Sequence, residues 1–514
     1  MTRSARPRTA AIVNLGCKVN QSEMEAAARL LRDAAIPLVD PSRAADLYLV
    51  NTCTVTANAD EKSRAAVRRA RRANPAAEIV VTGCSVQVGP EAFEAVDAGA
   101  RLVANEDKAA FLAELEGLLR LPGDAAAGGA PHGPIDAALP TLSGVEPADA
   151  VDASSAVTAA PLDGAFDDRA SVERTRAFVK VQDGCSFHCT YCIIPRARGA
   201  ERSLEPEVVL ADVRRALAAG HREIVLTGIN IGTYDGGWSE RGARGSHARS
   251  ALTLAGLVRR ILAETPVERI RLSSIEPQHV DDDLLAAWLD GAPRALPHVH
   301  LPLQSGDDGV LRRMGRRYLS ADYAAVVARI RAAMPHAAVH ADVICGFPTE
   351  DDEAHARSLA FIGSLEPAGL HVFRYSARPG TPATRMAGQV DERTKKARAA
   401  DLLALGAASK TAFAAGSTAG ARARTRVLLE QRLPDGRWVG HAEDHVLVAV
   451  TPRPGDPADL ENVIATVVRT AADPGMPDRV TGAILSLHAA PRSLRSRIPV
   501  LAPADPHHGG VHVR

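Results

Sequence analysis

Along the first hundred or so residues the apolar positions switch between two periods. AIVNLG (residues 11–16), DLYLVN (46–51) and EIVVTG (78–83) are short runs rich in Val, Ile and Leu, which predict strands buried on both faces. Between them, SEMEAAARLLRDAA (22–35) and ADEKSRAAVRRARR (59–72) repeat their apolar residues at helical spacing, with Ser22 as the predicted N-cap of the first helix. This strand–helix alternation predicts an α/β domain with a parallel sheet over residues 8–120. A second alternation fills residues 171–413. RAFVKVQ, REIVLTG, RIRLSSIE, HVHLPLQ, AVHADVICG and GLHVFRYS are strand-like, and each is followed by a helical pattern. Six such units are two short of an eight-fold barrel, so the expected closure is an open, partial barrel. From residue 416 to 488 the helical period vanishes, and RARTRVLLE, GRWVGH, HVLVAVT, ENVIATVVRT and DRVTGAILSL predict a small antiparallel β-barrel of a kind that often holds RNA.

Three stretches break the pattern. Residues 121–168 carry eight acids and no Lys or Arg, a composition that builds no core, so 121–170 reads as a flexible acidic linker. Residues 236–250 read as a surface loop, and residues 489–514 as a disordered tail. In the tail, His507, His508 and His512 are not taken as metal ligands.

Composition narrows the function. Lys plus Arg equals Asp plus Glu at 61 each, which gives no global pull toward nucleic acid or membrane, so an RNA surface must come from local asymmetry. No apolar run approaches the about 18–20 residues that span a bilayer, and the basic start MTRSARPRTA lacks the apolar core of a signal peptide. A cytoplasmic, monomeric protein is the expectation. Seven cysteines are too few and too odd in number for a disulfide framework. Six fall into two triads, and Cys345 is left over as a small apolar filler.

Cys185, Cys189 and Cys192 form C-x3-C-x2-C within VQDGCSFHCTYCIIPRARG, just after the first barrel strand. Three thiolates on one loop can hold three irons of a [4Fe–4S] cluster and leave the fourth iron open for reaction. A zinc site, which usually takes four ligands, is the alternative. Cys17, Cys53 and Cys84 are far apart in sequence, yet each follows the end of a predicted strand of the first sheet. Loops at the carboxyl ends of parallel strands gather at one edge, so these three can converge too.

LGCKVNQSE, VNTCTVTANADEKSR, DGCSFHCTYCIIPRARG, LTGINIG, RLSSIEP and FRYSARPGTPA together resemble the methylthiotransferases, within them the branch that modifies N6-threonylcarbamoyladenosine in tRNA. The resemblance spans most of the chain, excluding linker and tail. It implies an N-terminal three-cysteine domain, a radical S-adenosylmethionine domain and a C-terminal TRAM domain, with two [4Fe–4S] clusters and S-adenosylmethionine as cofactors. By the same resemblance, Cys185, Cys189 and Cys192 hold the cluster that cleaves S-adenosylmethionine, and the 5′-deoxyadenosyl radical takes hydrogen from C2 of the adenine beside the anticodon. Cys17, Cys53 and Cys84 hold the cluster that presents sulfur, methylated from a second S-adenosylmethionine. Tyr191, Gly228, Ser274, Glu276, Gln304 and Gly346, at successive strand ends, are the expected cofactor-contacting residues. No protein side chain is assigned a catalytic role beyond the clusters. Expected partners are the tRNA anticodon stem-loop, an electron donor and a sulfur source. Sibling enzymes acting on isopentenyladenosine or on a ribosomal protein, and a non-catalytic zinc-dependent RNA-binding module, are the alternatives. Departures from the family are the acidic insertion after Arg120 and Cys345 where an aliphatic residue is usual.

Candidate phosphate contacts complete the reading. Arg64 and Arg68 share a helix face with Arg72, and Arg422, Arg424 and Arg426 alternate along one predicted strand, so that all three point one way. Trp438 and Tyr375 are read as core packing rather than base-stacking groups.

Overall fold

A computed structural model of the chain describes residues 7–119, 175–237 and 252–488. The acidic linker, most of the 236–250 loop and the tail with His507, His508 and His512 lie outside the described residues. Four parallel strands open the fold in the order β1 (Ala10–Asn14), β2 (Leu47–Thr52), β3 (Glu78–Gly83) and β4 (Arg101–Val103). The first three stand where the apolar runs predict them. The fourth has three residues and no periodicity to betray it.

The helix Lys18–Asp33 begins four residues before the predicted Ser22. Its N-cap is Cys17, and Ser22 lies inside, donating to the Val19 carbonyl at 2.9 Å. Burial of Met24, Ala27, Ala28 and Leu31 against the sheet fixes this start and outweighs the capping preference of one serine. Helix Ala57–Ala73 starts on Thr56, whose hydroxyl accepts the Ala59 N–H at 3.1 Å.

The central domain carries β5 (Arg176–Lys180), a two-residue hairpin of β6 (Gln182–Asp183) and β7 (Arg202–Ser203), then β8 (Glu223–Thr227), β9 (Arg269–Leu272), β10 (His298–Gln304), β11 (Ala338–Cys345) and β12 (Gly369–Arg374). Parallel ladders run β5-β8-β9 and β10-β11-β12. A bridge at Ser274 and His300, with the Ile275 N–H donating to the His300 carbonyl at 2.9 Å, joins the halves. No ladder closes β5 onto β12 among the described residues, so the barrel is open, as six units predict. The N-terminal domain lies across that opening. Glu23 pairs with Lys180 of β5 at 3.1 Å, and the Ala57 N–H donates to Ser376 Oγ, just past β12, at 3.1 Å.

The C-terminal barrel is closed in the order β13 (Arg424–Arg432), β14 (Trp438–Ala442), β15 (Leu447–Val450), β17 (Met476–His488), β16 (Val463–Asp473). It differs from the expected antiparallel barrel in one pair. β15 runs parallel to β17, because the chain crosses over after β15 to form β16 first. Trp438 packs in its core with Val427, Leu429, Val448 and Val480, as expected.

Buried charges dock this barrel on the N-terminal ends of the central strands. Glu223, fully buried, pairs with Arg269 at 2.6 Å and Arg271 at 2.9 Å. Those guanidiniums also donate to the carbonyls of His441 (3.1 Å) and Ala442 (3.3 Å). The cysteine loops hang on the opposite, carboxyl ends.

Candidate active site

The loop after β6 turns at Gly184, where φ is +67° and a Cβ would lie 2.0 Å from the Ala200 carbonyl oxygen, so only glycine fits. It brings Cys185, Cys189 and Cys192 together, with the Cys192 N–H donating to the Cys189 carbonyl at 3.0 Å. The Phe187 N–H reaches Cys185 Sγ at 3.4 Å, and Arg316 Nη1 reaches Cys189 Sγ at 3.3 Å. Burial pushes the Cys185 thiol up and the Cys192 thiol up to about 12, and the neighbouring cysteines add to both.

The second triad converges as the sheet topology predicts. Cys53 and Cys84 directly follow β2 and β3, while Cys17 sits three residues past β1. Burial pushes Cys53 up to about 12 and Cys17 upward, and each thiol is raised further by Cys84. The Cys17 thiol donates to Asn20 Oδ1 at 3.3 Å.

Each triad presents three adjacent sulfurs with N–H donors around them, and no disulfide joins any of the seven cysteines. Thiols that burial keeps protonated need a metal charge to ionise them, which iron supplies on binding. Both triads therefore fit a three-cysteine [4Fe–4S] cluster.

Arg198 links the two. It ends the short helix Ile194–Arg198 that follows Cys192, and its Nε donates to Cys84 Sγ at 3.2 Å. The same guanidinium reaches Asn20 Oδ1 (2.6 Å), Glu23 (3.1 Å) and Asp183 (3.0 Å). Burial pushes Glu23 up, but Arg198, Lys108 and Lys180 together hold its carboxyl well below the usual range. Asn105 adds contacts to Cys84 Sγ (3.7 Å) and the Ala197 carbonyl (2.7 Å). The sequence reading missed Arg198, Asn20, Glu23 and Asn105. Only proximity to a cysteine, Asn20 on the same helix face as Cys17 and Arg198 within PRARG, offered a signal.

The remaining residues singled out from the sequence fall around the first triad. Tyr191 packs edge-on to Phe347, and its hydroxyl lies 3.4 Å from Arg316. Arg316 pairs with Glu276 and donates to Tyr318 at 2.9 Å. Burial pushes the Glu276 carboxyl up, although Arg316 opposes it. Ser274 Oγ is 3.1 Å from His300 Nδ1, and His300 Nε2 is 2.7 Å from Asp342. A Cβ on Gly228 would meet the Gln182 carbonyl at 2.8 Å, and both amide atoms of nearby Asn230 are buried without a partner among the described residues. Gln304 adopts φ +71° at the irregular end of β10. Gly346 also has φ +71°, but a Cβ there would strike Lys395 Cγ at 2.3 Å, and its N–H donates to Glu350. Its missing side chain lets Lys395 pack against the backbone there. Tyr375 and Cys345 are buried, as expected of core residues.

The basic residues are less available than their sequence spacing suggests. Arg422 lies in the turn Gly420–Arg422 before β13, so it does not share the strand face. It pairs with Asp444 at 3.1 Å and covers the Phe413 ring. Arg426 pairs with Glu443 at 2.8 Å and donates to the Pro293 carbonyl. Arg64 and Arg68 both pair with Glu61, while Arg424 is exposed.

Residues 9–104 match the uncharacterized protein family UPF0004, and residues 179–362 match the radical SAM superfamily. The threonylcarbamoyladenosine tRNA methylthiotransferase MtaB of Bacillus subtilis is 38% identical over 397 residues, 77% of this chain and 80% of its own. Its namesake in Thermotoga maritima is 34% identical over 76% of this chain and 80% of its own. The tRNA-2-methylthio-N(6)-dimethylallyladenosine synthase of Maricaulis maris is 32% identical over 78% of this chain and 83% of its own. Among solved structures, the radical S-adenosylmethionine methyltransferase TsrM of Kitasatospora setae superposes with a TM-score of 0.47 at 16% identity, over 73% of this chain and 77% of that one. No helix among the described residues is long and apolar enough to cross a membrane.

Proposed function

The chain belongs to the radical S-adenosylmethionine tRNA methylthiotransferases, and from that premise we propose that it converts N6-threonylcarbamoyladenosine beside the tRNA anticodon to its 2-methylthio derivative, with one [4Fe–4S] cluster on each cysteine triad. The observation that carries the two-cluster reading is Arg198, which extends from the Cys185–Cys189–Cys192 loop to Cys84 Sγ at 3.2 Å. When bound, the cofactors supply a carbon-centred radical from S-adenosylmethionine and a sulfur for transfer, reactivity that no side chain has.

The chain's own residues then aim and shield. Arg198, neutralised by Glu23 and Asp183, fixes the N-terminal triad against the radical loop and directs N–H groups at its sulfur. Arg316, held by Glu276 and Tyr318, does the same for Cys189. Hydrogen bonds to thiolate sulfur tune a cluster's potential and stabilise its charge. Asn230, with unpartnered amide atoms, suits the polar groups of S-adenosylmethionine. Gly228 lets the backbone of that turn pass against Gln182, whose Oε1 accepts the N–H groups of Ile229 (3.0 Å) and Asn230 (2.8 Å).

The choice of nucleoside rests on two supports. The threonylcarbamoyladenosine enzyme of B. subtilis is the more similar of the relatives named above, and the barrel lumen is polar. Ser274, His300, Asp342 and His371 form one hydrogen-bonded row there, and burial, with smaller help from His371 and Lys18, lowers the His300 pKa against the pull of Asp342. Such a polar lining beside a lysine suits the carboxylate and hydroxyl of a threonylcarbamoyl group better than an apolar dimethylallyl group.

The test uses anaerobically reconstituted protein, which should hold about eight irons, and tRNA from cells lacking the enzyme. Mass analysis of digested nucleosides should show methylthiolation of threonylcarbamoyladenosine, and modification of isopentenyladenosine instead would overturn the assignment. Cys53→Ala should lose methylthiolation while still cleaving S-adenosylmethionine. Loss of cleavage in a folded Cys53→Ala protein would refute the separate tasks of the two triads.

A further inference from the structure

Two rows of histidine face the lumen of the open barrel, set by alternation along HVH (residues 298–300) and VHAD (339–342). The row nearer the cysteines is satisfied. Asp342 Oδ1 accepts from His300 at 2.7 Å and His371 at 3.0 Å. The row at the other end is only partly so, with Arg176 Nη1 at 3.5 Å from His445 Nε2. There His298 of β10 and His340 of β11 meet His445 from the turn between β14 and β15. Ring centroids lie 4.9 Å apart for His298 and His340, and 4.5 Å for His298 and His445. One ligand nitrogen from each residue lies within 4.8 Å of the other two. Nδ1 of both His298 and His340 is buried and has no hydrogen-bond partner among the described residues. A polar atom left so costs about 1–3 kcal/mol, and nothing in the methylthiolation scheme uses it.

We propose that His298, His340 and His445 bind one divalent transition-metal ion of the zinc class, which ties the C-terminal barrel to the radical domain. Imidazole binds such ions as the neutral base, and burial, aided by neighbouring cations, holds all three well below the ordinary histidine range. The nearest cations are held elsewhere: Arg271 is paired with buried Glu223 at 2.9 Å, and Arg176, whose Nε pairs with Glu430 at 3.1 Å, reaches His445 Nε2 only by a long 3.5 Å contact that an ion would displace. Zinc takes nitrogen at about 2.0–2.1 Å, so the ligand atoms must move inward by about 1 Å, within reach of small ring rotations. Two ligands come from the radical barrel and one from the C-terminal barrel. The ion therefore closes the lumen at the end away from the clusters.

Cobalt titration of the anaerobic holoenzyme, with both clusters filled, tests this independently of the substrate assignment. One Co²⁺ per chain should bind and, in the difference spectrum against the cobalt-free holoenzyme, give visible ligand-field bands without the added near-ultraviolet charge-transfer absorption that cysteine ligation of cobalt produces. His340→Ala and His445→Ala should each weaken binding by at least about tenfold, since losing a ligand costs no less than losing a group that supports one, with iron content unchanged. A strong chelator should lower the wild-type thermal midpoint and leave that of His445→Ala unmoved. Absence of a stoichiometric cobalt site, a cysteine-type spectrum, or wild-type affinity in both variants would overturn the proposal.

Discussion

Arg198 is the residue on which the two cysteine triads meet, and its energetics follow from burial. Its side chain is 1% exposed and faces the carboxylates of Glu23 and Asp183, both buried. Removing one partner of such a cluster leaves charge uncompensated in low dielectric, at a cost of about 3–5 kcal/mol. Arg198→Ala should therefore lower the urea midpoint of the anaerobic protein markedly. Arg198→Lys should recover part of that loss, since one ammonium replaces the charge but cannot span Cys84, Asn20 and the two carboxylates at once. An unchanged midpoint in Arg198→Ala would show that the network contributes nothing to holding the N-terminal domain in place.

At the scale of elements, strand-end cysteines were legible and buried arginines were not. Val- and Ile-rich runs fix where β1, β2 and β3 end, and parallel topology then forces Cys17, Cys53 and Cys84 to one edge, so convergence follows from pattern alone. Asn20, Glu23 and Arg198 act across domains, and no periodicity in one segment reveals a partner 175 residues away. Ser22 misled because capping preference, worth about 1 kcal/mol, yields to burial of a helix face. The arginines before and along β13 misled for a related reason. Alternation gives a common face only if every residue lies in the strand, and Arg422 does not. Arg424, the exposed member, is the one available to phosphate. Arg424→Gln should reduce the salt slope of tRNA binding by about one phosphate contact. Arg426→Ala should instead act through stability, by stranding Glu443, and Arg422→Ala should act less, because Arg469 still pairs with Asp444 at 2.9 Å. Binding isotherms at several salt concentrations check both halves, and an unchanged slope in Arg424→Gln would remove this strand from the RNA surface.

For the whole molecule, the C-terminal barrel docks on charge rather than on a continuous apolar face, and that makes the joint sensitive to acid. Glu223 sits between Arg269 and Arg271, and none of the three is exposed beyond a few per cent. Burial pushes its carboxyl up, but the two guanidiniums prevail and hold it well below the usual range. A carboxylate whose folded value is depressed contributes its full stability above its unfolded value, near pH 4.3, and loses it as pH falls further. Glu223→Gln removes that contribution at every pH and leaves two buried guanidiniums facing a neutral amide. At pH 7 the variant should be less stable than wild type by about 3–5 kcal/mol. Below about pH 4.3 the gap should shrink, because wild type then begins to protonate the same group on unfolding. Comparing the two proteins at each pH cancels the loss of iron that acid itself causes. Denaturation from pH 7 down to about 3 tests the argument, with proteolysis between the central and C-terminal domains as a local readout. A gap that stays constant over that range would mean that Glu223 is not the ionised centre of the joint. Arg269 and Arg271 would then be held mainly by the carbonyls of His441 and Ala442, and docking would rest on neutral hydrogen bonds that acid does not touch.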